Sequence, residues 1–190
     1  MKRMIDFCLA LICLILFSPL FIICYLAIRL EDGGPAFFKQ ERIGLGGKPF
    51  HILKFRSMMI NDNREEYALF KHEKNEHLTR TGRFLRDHHL DELPQLWNVL
   101  IGDMAFVGPR PERKYYINMI MQHDERYERL YALRPGVTSY ATLHNGYTDT
   151  MEKMLIRLNM DLNYLEHQSL WLDAKILMQT FIGIVLGKKF

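Results

Sequence analysis

Cysteine is scarce in this chain and confined to one stretch of it. Cys8, Cys13 and Cys24 all lie in an apolar segment near the N-terminus, and no histidine cluster stands beside them. No two of them form a Cys-x-x-Cys pair, so the sequence argues against a zinc site and implies no disulfide framework. Cysteine in such a setting acts as a small apolar residue, and a reducing compartment is expected.

Charge is also missing from part of the chain. Residues 7–28 hold no charged side chain, whereas residues 61–91 are dense in them. The formal net charge is only +3, and the basic residues are interleaved with acidic ones rather than set in a long stripe. A nucleic-acid binder is therefore not expected. The balance suits an anionic membrane face or a phosphate-bearing substrate equally well.

Repeats and low-complexity stretches are absent, and 190 residues are enough for one domain but few for two. The cluster Asp32-Gly33-Gly34-Pro35 is a turn signal that ends the apolar segment. We therefore predict an N-terminal anchor over residues 1–34 and one folded domain over residues 35–190.

The apolar segment is long enough to cross a membrane. Lys2 and Arg3 precede it and Arg29 closes it. At about 1.5 Å per residue, the charge-free run matches a hydrocarbon core of roughly 30 Å. A cleaved signal peptide is the rival interpretation, but the run is long for one and no small-x-small cleavage site follows Ile28.

Ser18-Pro19 lies in the middle of the apolar segment, where proline predicts a kink. A spanning helix with a tolerated kink fits this pattern. A re-entrant helix–break–helix, which enters one leaflet and returns, fits it as well. Positive charge on both flanks favours two cytoplasmic ends, as re-entry requires. The segment alone leaves both interpretations open.

The remaining chain predicts an α+β fold that is mostly helical. Phe37–Arg42 and Phe50–Met58 have strand patterns, and the glycine-rich stretch 44–49 between them predicts a β-hairpin. That stretch lacks the Walker spacing and a following helix, so a nucleotide loop is not expected. Helical spacing marks 93–101 and 151–165, while the apolar run 176–186 predicts either an interfacial helix or a buried C-terminal one.

Asp91 and Glu92 directly precede the helix predicted near Pro94. The positive end of a helix keeps carboxylates ionised and attracts phosphate. Adjacent carboxylates point in different directions, so one can attack while the other holds a metal ion. By itself, such a pair is more often only a helix cap.

Basic residues around this pair strengthen the functional interpretation. Lys54 and Arg56 are two apart on a predicted strand and are expected to share a face. Arg86 lies five residues before Asp91. Arginine has a planar fork of donors suited to phosphate, and neighbouring proline restricts its backbone. Two arginines stand in such proline-stiffened turns, which suggests a clamp for a polyanion: Arg110 in Gly108-Pro109-Arg110-Pro111 and Arg134 in Arg134-Pro135-Gly136.

The stretch from Leu90 to Leu100, Leu-Asp-Glu-Leu-Pro-Gln-Leu-Trp-Asn-Val-Leu, resembles the signature of the bacterial sugar transferase family, the small monotopic phosphoglycosyl transferases. Other stretches resemble the family in the same order along the chain: Ser18-Pro19, Lys54–Met58, Gly102–Glu112, Arg134–Thr138 and, near the C-terminus, Leu172-Asp173. The resemblance covers nearly the whole chain.

The resemblance implies a two-step reaction at the cytoplasmic face of the bacterial inner membrane. Asp91 would attack the β-phosphate of a UDP-sugar and release UMP, and a polyprenyl phosphate such as undecaprenyl phosphate would then take the phosphosugar. This step initiates the assembly of exopolysaccharide, capsule, O-antigen or another glycoconjugate. The implied partners are the UDP-sugar, the polyprenyl phosphate and membrane phospholipids, with downstream glycosyltransferases as candidate protein partners.

The resemblance also implies a role for each motif residue. Glu92 would hold Mg²⁺, which neutralises charge on the diphosphate. The predicted phosphate-binding set is Lys54, Arg86, Arg110, Arg134 and Asp173, where Lys54 and Asp173 would complete the site. Residues 1–34 would form a re-entrant membrane anchor broken at Ser18-Pro19, and residues 35–190 a catalytic domain with interfacial amphipathic helices.

The chain departs from the family pattern in two places. Val137-Thr138-Ser139-Tyr140 follows Arg134-Pro135-Gly136, where the family commonly has Ile/Leu-Thr-Gly, and residues 61–79 resemble no shared pattern and predict a variable excursion. These departures leave the sugar open. A membrane-anchored binding or scaffold protein with the same fold and no turnover is the alternative function, although it does not require the Asp91-Glu92 pair.

Overall fold

The computed structural model describes residues 1–59, 78–146 and 148–187. In chain order its helices and strands are α1 (Lys2–Leu16), α2 (Ser18–Asp32), β1 (Phe37–Ile43), β2 (Pro49–Phe55), α3 (Arg80–Asp87), α4 (Gln95–Ile101), β3 (Ala105–Val107), α5 (Lys114–Met121), β4 (Gly136–Thr138), α6 (Tyr140–Asn145), α7 (Met151–His167) and α8 (Leu170–Val185). Short 3₁₀ segments cover Leu45–Gly47, Leu90–Glu92 and Glu125–Ala132. The architecture is α+β and mostly helical, as predicted. The predicted 61–79 excursion lies outside the described residues, apart from its last two.

Helices α1 and α2 form a bent pair at the N-terminus. Their axes differ by 62°, and the break lies at Phe17, directly before the predicted Ser18-Pro19. Pro19 falls in the first turn of α2, where a helix does not use the backbone N–H. The Ser18 hydroxyl donates a hydrogen bond of 2.8 Å to the carbonyl of Ile15. Among the described residues, no single helix has the length and apolarity of a membrane span, whereas the bent pair has both when taken together.

Strands β1 and β2 form the predicted antiparallel hairpin, with Phe37 opposite Phe55 and Ile43 opposite Pro49. Strand β2 ends at Phe55, three residues before the predicted end at Met58. Directly after the strand, the guanidinium of Arg56 binds the carboxylate of Asp32 and, at 2.7 Å, the carbonyl of Pro35. Lys54 has a different partner, Glu92, and the expectation that Arg56 shares its face stays a prediction.

A second small sheet was not predicted from the sequence. Strands β3 and β4 pair in parallel, with Ala105 opposite Gly136 and Val107 opposite Thr138. The two backbone segments approach so closely that a Cβ on Gly136 would stand 2.2 Å from the backbone nitrogen of Gly108. Glycine is required at this crossing because no side chain fits there. The contact between the two segments fixes the start of the loop that carries Arg110.

Two sets of contacts hold α3 and α4 against the hairpin. Cys24 and Ile28 of α2 pack with Phe55 and Leu85 in a buried cluster that Leu90 and Leu93 extend. On the other side, Asn98 of α4 accepts a 2.9 Å hydrogen bond from the amide of Leu53 and donates one of 2.8 Å to the carbonyl of His51. Asn98 is almost fully buried, so its polar side chain needs these hydrogen bonds. They fix the position of α4 beside β2.

Helix α8 begins at Leu170, six residues before the predicted apolar run. Ile176 is fully buried on one side, but Trp171, Phe181 and Val185 are 81%, 65% and 68% exposed. Of the two predicted alternatives, the wholly buried helix is therefore wrong. Instead, α8 has a large uncovered apolar face, which is the feature expected of an interfacial helix.

Asp161 of α7 is a buried carboxyl group whose protonation affects stability. Burial raises its pKa from 3.8 to about 7, only partly offset by Arg157. Between these two pKa values the folded protein keeps the Asp161 carboxyl protonated, whereas the unfolded chain releases that proton. The free energy of unfolding therefore falls as pH rises through about 7. We expect Asp161→Asn to stabilise the protein at pH 8 by at least about 1 kcal/mol.

Thermal or urea unfolding of wild type and variant at pH 5 and pH 8 measures this effect. The advantage of the Asn variant should be larger at pH 8. Glu166→Gln is the control, because Glu166 forms an exposed ion pair with Arg129. An equal difference between Asp161→Asn and wild type at both pH values would contradict the prediction.

Candidate active site

The carboxylate pair lies in the 3₁₀ turn Leu90–Glu92, between α3 and α4. His89, which precedes the turn, has left-handed backbone angles with φ of 56°. A residue with a Cβ adopts this conformation at some cost in free energy, so the surrounding packing must hold it there. The sharp reversal buries the side chain of Asp91 to 9% exposure and leaves Glu92 partly exposed beside it.

Lys54 brings the first positive charge to the pair. It lies near the end of β2, and its Nζ is 2.6 Å from Oε1 of Glu92. Burial raises the pKa of the Glu92 carboxyl, but Lys54, Arg110 and His89 outweigh it and bring the pKa down to about 2. Glu92 is therefore ionised at neutral pH.

Arg86 brings a second positive charge from the last turn of α3. Its Nε donates a 2.9 Å hydrogen bond to the hydroxyl of Ser57, just beyond β2. Helix α3 can approach Ser57 because Gly82 lacks a side chain: a Cβ there would stand 2.0 Å from the Ser57 carbonyl oxygen. This close packing fixes the position of Arg86 beside Asp91.

The two carboxyl groups differ in their electrostatic surroundings. Burial raises the pKa of Asp91, and the charge of Glu92 raises it further. Lys54, Arg86 and His89 act in the opposite direction without overcoming the rise. A less hydrated carboxylate is a stronger nucleophile, whereas the ionised and partly exposed Glu92 is better suited to a cation. The pair thus has the division of roles that two-carboxylate chemistry needs.

Arg110 adds a further positive charge near Glu92. It is exposed, whereas Pro109 and Pro111 on either side of it are buried. Its charge is among those that lower the pKa of Glu92. The structure therefore brings five of the predicted site residues into one group: Asp91, Glu92, Lys54, Arg86 and Arg110.

Arg134 and Asp173 are held by other partners. Nε of Arg134 donates a 2.9 Å hydrogen bond to the carbonyl of Gly102, at the opposite end of α4 from the carboxylate pair. Asp173 accepts a 2.5 Å hydrogen bond from the Tyr164 hydroxyl and forms an ion pair with Lys2 of α1. For both residues, phosphate binding stays a prediction.

Three residues with a place in this site were not singled out from the sequence. Ser57 positions Arg86, Asn98 fixes α4, and His89 lies close enough to both carboxyl groups to favour a lower pKa in each. Ser57 and Asn98 fall inside the motif stretches, so those stretches carried a signal. Their partners are distant in sequence, however, and no local pattern assigns them.

Two adjacent carboxylates, one buried and one ionised, lie within electrostatic reach of a lysine and two arginines, an arrangement that suits a phosphate-bearing substrate. The sequence matches the family model described as bacterial sugar transferase over residues 1–187. This protein belongs to the bacterial sugar transferase family.

Curated relatives agree with this assignment. The chain is 42% identical to a UDP-glucose:undecaprenyl-phosphate glucose-1-phosphate transferase of Caulobacter vibrioides, over 94% of this chain and 67% of the relative. It is 37% identical to a UDP-N-acetylgalactosamine-undecaprenyl-phosphate N-acetylgalactosaminephosphotransferase of Aeromonas hydrophila, over 98% of this chain but only 44% of the relative. It is also 37% identical to the uncharacterized sugar transferase EpsL of Bacillus subtilis, over 99% of this chain and 89% of that protein.

Proposed function

We propose that this protein transfers a phosphosugar from a UDP-sugar to a polyprenyl phosphate, such as undecaprenyl phosphate, and releases UMP. The observation that carries the proposal is the buried Asp91 next to the ionised Glu92, surrounded by Lys54, Arg86 and Arg110. Two polyanions have to meet in this reaction, and concentrated positive charge stabilises their encounter and the transition state. The names of the relatives in Caulobacter and Aeromonas describe the same class of reaction.

Asp91 acts as the nucleophile in the proposed first step. One of its carboxylate oxygens forms a bond to the β-phosphorus of the UDP-sugar, while the bond from that phosphorus to the oxygen of UMP breaks. UMP leaves with that oxygen, and the phosphosugar stays on Asp91 as an acyl phosphate. In the second step an oxygen of the polyprenyl phosphate attacks the same phosphorus, which frees Asp91 and yields a polyprenyl diphosphosugar.

Glu92 is the proposed ligand of a magnesium ion. Among the described residues, no group of three or more His, Cys, Asp or Glu side chains could hold a metal. Mg²⁺ often uses only one or two protein carboxylates and takes its other ligands from substrate phosphates and water. An ionised Glu92 next to a diphosphate fits that pattern, with Lys54 free to move to the phosphate. A bound Mg²⁺ would neutralise charge on the diphosphate and on the departing UMP.

Residues 1–34 form the proposed re-entrant membrane anchor, and residues 35–190 the catalytic domain on the cytoplasmic face of the inner membrane. The 62° bend at Ser18-Pro19 supports this topology, as do the many exposed apolar side chains of α1 and α2. The uncovered apolar face of α8 would lie on the same phospholipid surface. This arrangement lets a lipid phosphate reach Asp91 without leaving its bilayer.

Cysteine labelling tests the topology. In a variant with Ala at Cys8, Cys13 and Cys24, one new cysteine replaces Lys2 or Pro35, and intact cells are treated with an impermeant thiol reagent. We expect protection at both positions until the membrane is opened, because re-entry puts both ends on the cytoplasmic side. Labelling of position 2 alone in intact cells would instead show a spanning helix.

A matched variant tests the break itself. Ser18→Ala with Pro19→Leu removes the hydroxyl that bonds to Ile15 and restores an unbroken helix pattern. We expect this variant to shift labelling at position 2 toward the pattern of a spanning helix. Unchanged protection would mean that Ser18-Pro19 does not determine the topology.

The proposed role is the initiating step of exopolysaccharide, capsule, O-antigen or other glycoconjugate assembly, with downstream glycosyltransferases as partners. UMP release tests it. Purified protein in detergent or nanodiscs is incubated with Mg²⁺, undecaprenyl phosphate and each of UDP-glucose, UDP-galactose and UDP-N-acetylgalactosamine. At least one sugar should give lipid-dependent UMP release. Binding of UDP-sugar without UMP release from any of a wide panel would favour the alternative, a scaffold of the same fold without turnover.

A further inference from the structure

A buried cluster of charged side chains lies behind Arg110. Glu112 is only 7% exposed, forms an ion pair with Arg157 of α7, and lies 3.7 Å from Nη1 of Arg42 on β1. A small cavity next to this ion pair is lined by both Arg110 and Asp161, among other residues. The cluster therefore connects the interior of the domain to a proposed phosphate ligand.

The backbone on both sides of Arg110 is anchored. The carbonyl of Pro109 accepts a 2.9 Å hydrogen bond from the amide of Gly136 in β4. The carbonyl of Pro111 accepts one of 3.2 Å from Nη1 of Arg42, and that of Glu112 accepts one of 3.0 Å from the amide of Ile43. Arg110 is thus an exposed side chain on a loop that two separate sheets hold.

Glu112 also balances an excess of positive charge. Burial lowers the pKa of Arg42 to about 10, and Arg110 contributes to the lowering, while Glu112 opposes it. The pKa of Arg157 is lowered by burial as well, again with Glu112 opposing and Arg110 contributing. Without the carboxylate, three arginines would repel one another across the cluster. Arg110 is the exposed one, and it would be displaced toward solvent.

We propose that Glu112 is a positioning residue, which holds the loop between Arg42 and Arg157 so that Arg110 stays directed at Glu92 and the substrate diphosphate. It acts through Arg110 and does not contact the reacting atoms. This inference rests on the proposed function, because Arg110 is taken as a ligand of the diphosphate.

A double-mutant cycle tests the proposal with whichever UDP-sugar of the panel supports UMP release. A small misplacement of a group at the reacting centre can lower the rate up to about 100-fold. We expect Glu112→Gln to lower kcat/KM roughly 10- to 100-fold in the wild-type background and to have no further effect in an Arg110→Met background. An equal loss in both backgrounds would overturn the proposal, because Glu112 would then act through general stability.

Two further variants control for folding. Asp161→Asn changes a buried carboxyl of the same cluster that does not anchor the loop, and its kcat/KM should stay close to that of wild type. Glu112→Asp keeps the charge but shortens the side chain, so it should fold even where Glu112→Gln does not. Its kcat/KM should be intermediate, with no further loss in the Arg110→Met background. A loss in Asp161→Asn as large as in Glu112→Gln would also overturn the proposal.

Hydrogen exchange gives a readout that needs no turnover. The amides of Ile43 and Gly136 donate to the loop carbonyls. Peptides that contain these amides should therefore exchange faster in Glu112→Gln or Glu112→Asp than in wild type, and at the wild-type rate in Arg110→Met. Unchanged exchange in the Glu112 variants would contradict the anchoring role. If wild type releases no UMP from any sugar, the proposed function fails, while this exchange result still decides whether Glu112 anchors the loop.

Discussion

Replacing Asp91 with Asn should abolish turnover while leaving the protein folded and bound to the membrane. The carboxamide has nearly the same size as the carboxyl but cannot form the acyl phosphate, so we expect UMP release to fall by at least about 1,000-fold. Asp91 is buried and its pKa is raised, which means that its ionised form is not what stabilises the fold. The thermal midpoint of the Asn variant should therefore be equal to or above that of wild type.

Mass spectrometry distinguishes the covalent role of Asp91 from a purely electrostatic one. Wild type incubated with a UDP-sugar and Mg²⁺, but without lipid acceptor, should carry a phosphosugar on the peptide that contains Asp91. Asp161→Asn is the matched control, since Asp161 is another buried carboxyl with a raised pKa, and it should retain both the adduct and turnover. Near-normal UMP release from Asp91→Asn, or an adduct on a different residue, would refute the nucleophile assignment.

Glu92→Gln should weaken both turnover and the response to magnesium. Glu92 is ionised and pairs with Lys54 at 2.6 Å, so its amide would leave Lys54 without its partner and remove the proposed metal ligand. We expect kcat/KM to fall by about 100-fold or more, with half-maximal activity at a higher Mg²⁺ concentration. In wild type, EDTA should stop UMP release and added Mg²⁺ should restore it.

A magnesium titration of UMP release measures this shift. Glu41→Gln is a suitable control, because Glu41 is an exposed carboxylate on β1 of the same hairpin that carries Lys54. Its titration should coincide with that of wild type. Full activity of wild type in EDTA, or an unshifted titration for Glu92→Gln, would show that Glu92 does not hold a metal.

Features that depend on neighbouring residues could be predicted from the sequence. The break at Ser18-Pro19 follows from a proline in an apolar run, and the hairpin from two strand patterns around a glycine cluster. Helix α4 ends at Ile101, as the helical spacing over 93–101 predicts, and Gly102 after it has a φ of 101°, which few other residues adopt. Each of these patterns depends on only a few consecutive residues, so the amino-acid sequence is enough to predict the element.

The composition of the site was only partly predictable. Asp91 and Glu92 are adjacent in sequence, so their proximity was certain, and the resemblance to the family pointed to Lys54, Arg86 and Arg110. The unequal surroundings of the two carboxyl groups could not be predicted, because they depend on how deeply the Leu90–Glu92 turn is buried. Burial is a property of the packed fold and leaves no trace in a short pattern.

Long-range pairings were the part that required the folded structure. Strands β3 and β4 have three residues each, too few for a periodic signal, and they meet only because Gly108 and Gly136 allow a close crossing. Lys54 and Arg56 are only two residues apart, yet the first pairs with Glu92 and the second with Asp32, and no local pattern assigns these partners.

Glu112, the last residue of the motif stretch Gly102–Glu112, shows the same limit. Its direct neighbours along the chain are Pro111 and Arg113, yet its carboxylate lies between arginines from β1 and α7. The amino-acid sequence by itself therefore determined the chemical groups and the local turns. Packing between distant elements determined which of those groups face one another, because such contacts depend on the whole fold and not on spacing along the chain.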